Sequence, residues 1–139
     1  MHEYHNDGLT ISTDLARLQP DEIHAFLGGS YWAADRSLEQ VVVSLRNSFC
    51  LGLYDGARQI GLARVITDYV TYARLCDVYV LEEYRGRGLG KWLIDTMFAS
   101  PELRDVRRWT LGTRDAHEFY RQFGFTGPRA PERLMELVR

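Results

Sequence analysis

The sequence is poor in the features that mark several specialised classes of protein. It has only two cysteines in 139 residues, and Cys50 and Cys76 lack the short spacing and the partner histidines of zinc or redox sites. No apolar run reaches the roughly 18 residues that a membrane-spanning helix needs. Nothing at the amino terminus resembles a signal peptide. We therefore expect a cytoplasmic protein with no metal site and no membrane contact.

The chain also lacks an excess of positive charge. Its formal net charge is −2, and Lys91 is its only lysine. A domain that binds nucleic acid needs a basic patch, so this balance argues against a nucleic-acid partner. A length of 139 residues fits one domain, which we place at residues 1–139.

What the chain does contain is a glycine-rich turn between a strand-like and a helical segment. Apolar residues from Leu75 to Leu81 lead into the turn, and helical periodicity begins at Leu89. Three glycines within five residues let a ligand approach the backbone without interference from Cβ atoms. The helix start adds unpaired N–H donors and about half a positive charge. Residues 85–91 are therefore predicted to bind phosphate or pyrophosphate.

Two familiar phosphate motifs do not fit this turn. A P-loop needs Ser or Thr after its lysine, whereas Trp92 follows Lys91. The dinucleotide pattern Gly-x-Gly-x-x-Gly lacks its third glycine. The pattern Arg/Gln-x-x-Gly-x-Gly/Ala does fit, with Arg85, Gly88 and Gly90. It resembles the pyrophosphate-binding motif of the GNAT superfamily of N-acetyltransferases, which use acetyl-CoA.

A second segment carries the same resemblance. Residues 109–125 resemble the carboxy-terminal GNAT signature, in which a strand precedes a helix bearing Ala-x-x-Phe/Leu-Tyr-x-x-x-Gly-Phe. The matching residues are Ala116, Phe119, Tyr120, Gly124 and Phe125. Two motifs in the right order make the resemblance specific over most of residues 50–126.

Hydrophobic periodicity and turn signals predict a mixed α/β sheet with helices on its faces. Residues 1–8 are expected to form a loose end. Strands are predicted at 9–12, 49–54, 59–66, 74–81, 108–111, 125–126 and 132–138, and helices at 21–27, 37–47, from 88 to before Pro101, and 115–122. The resemblance implies a GNAT-like fold whose sheet splays between its fourth and fifth strands, with coenzyme A in the resulting V.

The resemblance also implies how acetyl-CoA would be held. A backbone N–H of Val78, Tyr79 or Val80 would bind the thioester oxygen, and Tyr120 would lie by the sulfur as general acid. The pyrophosphate would lie on the N–H groups of Arg85, Gly86, Arg87, Gly88, Leu89, Gly90 and Lys91, helped by the two arginine side chains.

The general base and the acceptor are less defined. Asp77 is a charged residue in mid-strand and could face the acceptor site; the other candidate bases are Glu82, Glu83 and Asp68. A water molecule could also accept the proton that the amine loses before it attacks. Aromatic faces near carboxylates suit an ammonium group. The resemblance also implies that the loop between the first two helices lines the acceptor site. The candidate acceptor-binding residues are Tyr31 and Trp32 in that loop, together with Asp68 and Tyr69. A small-molecule amine and a peptide amine both remain open.

Other functions remain possible at this level. A non-catalytic acyl-CoA-binding or sensor module would use the same fold. A nucleotide-binding domain of another class would bind ATP with magnesium, and transfer of a longer acyl group or to a hydroxyl would share most of the site. Many relatives are dimers, so the resemblance also makes a homodimer plausible.

Overall fold

A six-stranded sheet forms the centre of the computed structural model, which describes residues 1–139. Neighbouring strands are antiparallel except the last pair, which is parallel. The predicted mixed sheet is confirmed. In chain order the strands are β1 (Glu3–Asn6), β2 (Leu9–Ser12), β3 (Phe49–Asp55), β4 (Arg58–Thr67), β5 (Ala73–Val80) and β6 (Trp109–Thr110).

Four α-helices accompany the sheet: α1 (Pro20–Gly28), α2 (Leu38–Arg46), α3 (Leu89–Ala99) and α4 (His117–Arg121). Local chemistry fixes the starts of the first two. Pro20 opens α1, and Ser37 caps α2 through a capping box with Gln40. No helix combines the length and the apolar composition that crossing a membrane requires.

The sheet has a hydrophobic cluster on each face. On one face, α1 and α2 bury Ile23, Leu27, Val41 and Leu45 against the strands. On the other face, α3 packs on the sheet through side chains that are completely buried, namely Leu93, Ile94 and Met97. Helices on both faces leave only the edges and the ends of the strands for a ligand.

The sheet opens between β5 and β6. The two strands pair only through Ala73 with Trp109 and Arg74 with Thr110. From Leu75 to Val80, β5 has no strand partner on this side. Strands β5 and β6 correspond to the fourth and fifth strands of the sequence-based prediction, because β1 was not predicted. The splay that the resemblance implied is therefore confirmed. The chain runs from the end of β5 to α3 and from the end of β6 to α4, so both helices begin at the open end of the V.

The two ends of the chain differ from the prediction. Residues 1–8 are not loose, because Asp7 (φ +50°) and Gly8 (φ +77°) turn β1 back onto β2. The predicted strands at 125–126 and 132–138 do not form. Pro131–Arg133 is a single 3₁₀ turn, and the apolar side chains beyond it are exposed. Alternating apolar residues predict a strand only where a partner strand accepts its hydrogen bonds.

A glycine in β4 gives a test of the β4–β5 packing. A Cβ on Gly61 would lie 2.8 Å from the carbonyl oxygen of Tyr79, so Gly61→Ala must displace β5. We expect this change to lower the free energy of unfolding in urea by about 1–3 kcal/mol. Gly28→Ala is the matched control, because its Cβ would meet nothing within 4 Å, and it should leave stability unchanged or slightly higher. Equal effects of the two variants would contradict the β4–β5 packing.

Candidate active site

The first turn of α3 presents a row of free backbone donors at the open end of the V. Gly86 (φ +78°) and Gly88 (φ +76°) have left-handed backbones, and a Cβ on either would meet no atom within 4 Å. Gly88 is the N-cap and supplies no side-chain acceptor. The N–H groups from Gly86 to Lys91 have no acceptor within the protein. Donors of this kind, at a positive helix end, fit a pyrophosphate.

The charged side chains of this turn are already partly engaged. Arg85 donates from Nε to the carbonyl oxygen of Val80 at 3.0 Å, which ties the turn back to β5. The Arg87 guanidinium lies 5.7 Å from the centroid of the Tyr84 ring. Lys91 pairs with Asp95 at 2.6 Å. The backbone is therefore the free anion-binding element, and Arg85 and Arg87 are exposed side chains at its border.

A β-bulge lies on β5 beside the V. Leu62 pairs with Tyr79 and Arg64 pairs with Cys76, so β5 has one residue more than β4 between these pairs. Asp77 occupies the bulge with φ +49°. Val78 packs against the α3-side cluster, as Leu75 does, although the two residues are three apart. The bulge thus interrupts the strand alternation next to the backbone predicted to bind the thioester oxygen.

Asp77 is a buried ion-pair partner, which argues against its predicted role as a general base. Its carboxylate accepts from Trp32 Nε1 at 2.8 Å, Arg36 Nη1 at 2.7 Å and Arg64 Nε at 2.8 Å. Burial would raise the pKa of this carboxyl, but the Arg64 charge and the hydrogen bonds outweigh it and hold the pKa below its usual value. A carboxylate held by three donors is poorly suited to accept a proton from an amine.

The two glutamates that were predicted as candidate general bases differ in their ion pairs. Glu83 lies 3.7 Å from Arg58 in an exposed ion pair. Glu82 opens the 3₁₀ turn Glu82–Tyr84 directly after β5 and forms no salt bridge. Of the candidate bases at the open end of the V, Glu82 is therefore the one whose carboxylate is free.

Asp68 and Tyr69 lie beyond the other end of β5, where β5 and β6 are paired, which argues against their predicted acceptor-binding role. Asp68 accepts from the N–H groups of Val70 and Thr71, so it shapes the β4–β5 turn. Hydrogen bonds from Thr71 and from these N–H groups lower the pKa of Asp68. The Tyr69 ring packs edge-on against Phe49. Eight residues of β5 separate this turn from the open end, about 25 Å of strand.

Tyr120 lies on α4, which packs against the start of α3. A Cβ on Gly90 would lie 3.4 Å from the Phe119 ring, so the small residue at Gly90 lets the two helices approach closely. The Tyr120 side chain is half-buried against the α3-side cluster. Burial, with a smaller contribution from Tyr31, raises the pKa of Tyr120 to about 12. The hydroxyl is therefore protonated throughout the physiological range.

The connection between α1 and α2, residues 29–37, is here named the acceptor loop. Its Tyr31 hydroxyl accepts from the Arg114 N–H at 2.9 Å, and the Arg114 guanidinium lies 3.9 Å from the Tyr31 ring centroid. Tyr31 and Trp32 pack edge to face and remain 48% and 40% exposed. The loop therefore borders the V near Tyr120.

Sequence reasoning missed several residues around this loop. Arg36 in the loop and Arg64 on β4 both pair with Asp77, and Arg114 contacts Tyr31 of the loop. Burial, and after it the nearby charge of Glu22, raises the pKa of Tyr79. A charged residue in the middle of a predicted strand was the available signal for Arg64. The structure contains no group of three or more His, Cys, Asp or Glu side chains that could hold a metal ion.

Comparison with known proteins agrees with this geometry. A Xanthomonas campestris pv. campestris protein assigned to the GNAT family superposes with a TM-score of 0.91 at 43% identity, covering 94% of this chain and 93% of that one. A Gibberella zeae protein with an acetyltransferase name is 34% identical, covering 78% of this chain and 81% of its own length.

A GNAT acetyltransferase of Elizabethkingia anophelis, solved with acetyl-CoA bound, shares the fold at a TM-score of 0.65 and 19% identity, over 87% of this chain and 78% of that one. A family model described as an acetyltransferase (GNAT) domain matches residues 46–127, more than half of the chain. The chain is therefore a member of the GNAT family of acetyltransferases.

Proposed function

We propose that this chain, acting as one domain, transfers the acetyl group of acetyl-CoA to a primary amine by direct attack of the amine on the thioester. One observation carries the proposal: the free N–H groups at the start of α3 and the helix α4, which bears Tyr120, lie together at the open end of the β5–β6 V. The bound acetyl-CoA of the Elizabethkingia anophelis relative supports this choice of donor.

The backbone would perform two binding tasks. The N–H groups from Gly86 to Lys91 would hold the pyrophosphate, since they have no acceptor within the protein and the space beside Gly86 and Gly88 is open. An N–H of β5 at Val78, Tyr79 or Val80 would donate to the thioester oxygen as negative charge develops there. A preorganised donor of this kind lowers the barrier by about 3–4 kcal/mol.

The amine must be neutral before it attacks. An alkylammonium group has a pKa of about 10, so only a small fraction is neutral near pH 7. Glu82 would accept the proton, directly or through water, because it is the free carboxylate at the end of β5. Tyr31 and Trp32 would border the acceptor, with exposed aromatic surface on the same side of the V.

Tyr120 would protonate the departing sulfur. The amine would add to the thioester carbon, and the C–S bond would break as the tetrahedral adduct collapses. The phenol would donate first a hydrogen bond and then its proton to the departing thiolate. Full transfer from a phenol of pKa about 12 to a thiolate of pKa about 8.5 is uphill. The attacking nitrogen carries a surplus proton and is the stronger acid, so it restores the phenol and completes the transfer.

The raised pKa of Tyr120 predicts the pH profile. The protonated phenol is the active form, so its loss begins only as pH approaches about 12. Deprotonation of the amine should instead make kcat/KM rise from pH 6.5 to 9.5, with no alkaline decline. Steady-state rates across this range check the prediction. An alkaline decline near pH 8–9 that Tyr120→Phe abolishes would contradict it.

A thiol-release assay separates this proposal from a non-catalytic acyl-CoA sensor. The protein would be incubated with acetyl-CoA and, in turn, spermidine, kanamycin, lysine and an amino-terminally blocked lysine peptide. Enzymatic transfer predicts free coenzyme A and an acetylated amine in equal amounts with at least one acceptor. Binding of acetyl-CoA without product from any of these amines would favour the sensor.

A further inference from the structure

We propose that Asp77 is a positioning residue, which fixes the acceptor loop against β5 and maintains the bulge that presents Val78 to the V. The proposal rests on the proposed acetyl transfer, because it assigns Asp77 to the acceptor side of that site. It gives the buried ion-pair cluster a role in acceptor binding rather than in proton transfer.

The acceptor loop is held to the rest of the protein by the buried side chain of Ala33 and by few hydrogen bonds. Three hydrogen bonds join its side chains to residues distant in sequence. Two of them end on the Asp77 carboxylate, from Trp32 and Arg36, and the third joins Tyr31 to Arg114. The remaining hydrogen bonds of the loop are local, to α1, within the loop or to the first turn of α2. Removing the Asp77 charge would therefore release the loop from β5.

The same carboxylate joins two strands. Arg64 on β4 donates from Nε to Asp77 and from Nη1 to Ser48 Oγ at 3.0 Å. The side chains of Asp77 and Arg64 are only 3% and 8% exposed. Solvent screens such a buried pair weakly, so loss of one partner leaves an uncompensated charge. The cluster is thus a connection between β4, β5 and the acceptor loop.

The backbone of Asp77 needs this support. A residue with a Cβ at φ +49° is strained, although Asp tolerates the left-handed region better than most residues. Such strain persists where surrounding contacts hold the conformation. The three hydrogen bonds to the carboxylate supply these contacts, and they lie one residue before Val78. Asp77 therefore controls both the loop that would border the amine and the strand that would face the thioester.

Hydrogen exchange of Asp77→Asn tests the proposal without any acceptor. We expect amides of residues 30–37 and 76–78 to exchange about tenfold faster, with amides of α3 unchanged. Trp32→Phe and Arg36→Gln each remove one loop donor and keep the carboxylate, so they should accelerate residues 30–37 alone. These two variants also decide the matter if Asp77→Asn does not fold. An unchanged loop, or equal acceleration in every element, would overturn the proposal.

Kinetics distinguish positioning from catalysis. With the most active amine of the spermidine, kanamycin, lysine and lysine-peptide panel, Arg36→Gln should raise the amine KM several-fold. The kcat, the acetyl-CoA KM and the pH profile should stay close to those of the parent, and Arg36→Lys should recover most of the amine KM. A kcat loss of about 100-fold with an altered pH profile in Asp77→Asn alone would make Asp77 a general base and overturn the proposal. If no amine reacts, the proposed function fails while hydrogen exchange still decides the role of Asp77.

Discussion

Replacement of Tyr120 by phenylalanine is expected to lower kcat about 100-fold while the affinity for acetyl-CoA stays nearly unchanged. The change removes one oxygen and leaves the ring that packs on the α3-side cluster. It therefore removes the proposed proton donor for the leaving sulfur without creating a cavity. Stopped assays of coenzyme A release, together with calorimetric titration of acetyl-CoA, measure the two quantities separately.

Tyr69→Phe is the matched control for this substitution. Tyr69 is also a partly exposed tyrosine, but it lies in the β4–β5 turn, and its ring contacts Phe49 rather than the V. Its loss of a hydroxyl should leave kcat unchanged. A Tyr120→Phe enzyme with full kcat would remove Tyr120 from the role of general acid, whatever the control shows.

Replacement of Gly88 by valine is expected to weaken acetyl-CoA binding by at least about 100-fold. Two effects add together. The valine side chain would enter the open space in front of the free N–H groups, and a β-branched residue at φ +76° would distort the start of α3. Titration calorimetry of the folded variant measures the loss.

Gly8→Val separates the local effect from general strain. Gly8 has φ +77° and the same open surroundings, but it lies in the β1–β2 turn. The control variant should lose stability to a similar extent and still bind acetyl-CoA like the parent. Retained affinity in Gly88→Val would show that the turn does not hold the pyrophosphate, and equal losses in both variants would assign the effect to strain.

The parts of the site that were predictable from sequence are those set by local backbone demands. Gly86 and Gly88 adopt left-handed conformations that few other residues tolerate, so the turn is visible in the sequence. Ser37 likewise forms the capping box that starts α2. The Asp7-Gly8 turn carried an equally local signal, and the prediction of a loose amino terminus overlooked it.

Contacts between distant residues account for what was missed. The partners of Asp77 lie 13, 41 and 45 residues away in the chain, and their convergence depends on the bulge in β5 and on the course of the acceptor loop. A charged residue in mid-strand therefore suggested a reactive carboxylate, whereas the fold makes it an ion-pair partner. The predicted strand at 132–138 failed for a related reason, since no strand in the sheet pairs with it.

Calorimetric titration with acetyl-CoA, run beside ATP with magnesium, tests the central claim most directly. The free N–H groups of α3 and the open β5–β6 V predict micromolar binding of acetyl-CoA and no binding of ATP with magnesium. Failure to bind acetyl-CoA would contradict the assignment of the V as the acyl-donor site, and binding of ATP with magnesium alone would assign the glycine turn to a nucleotide.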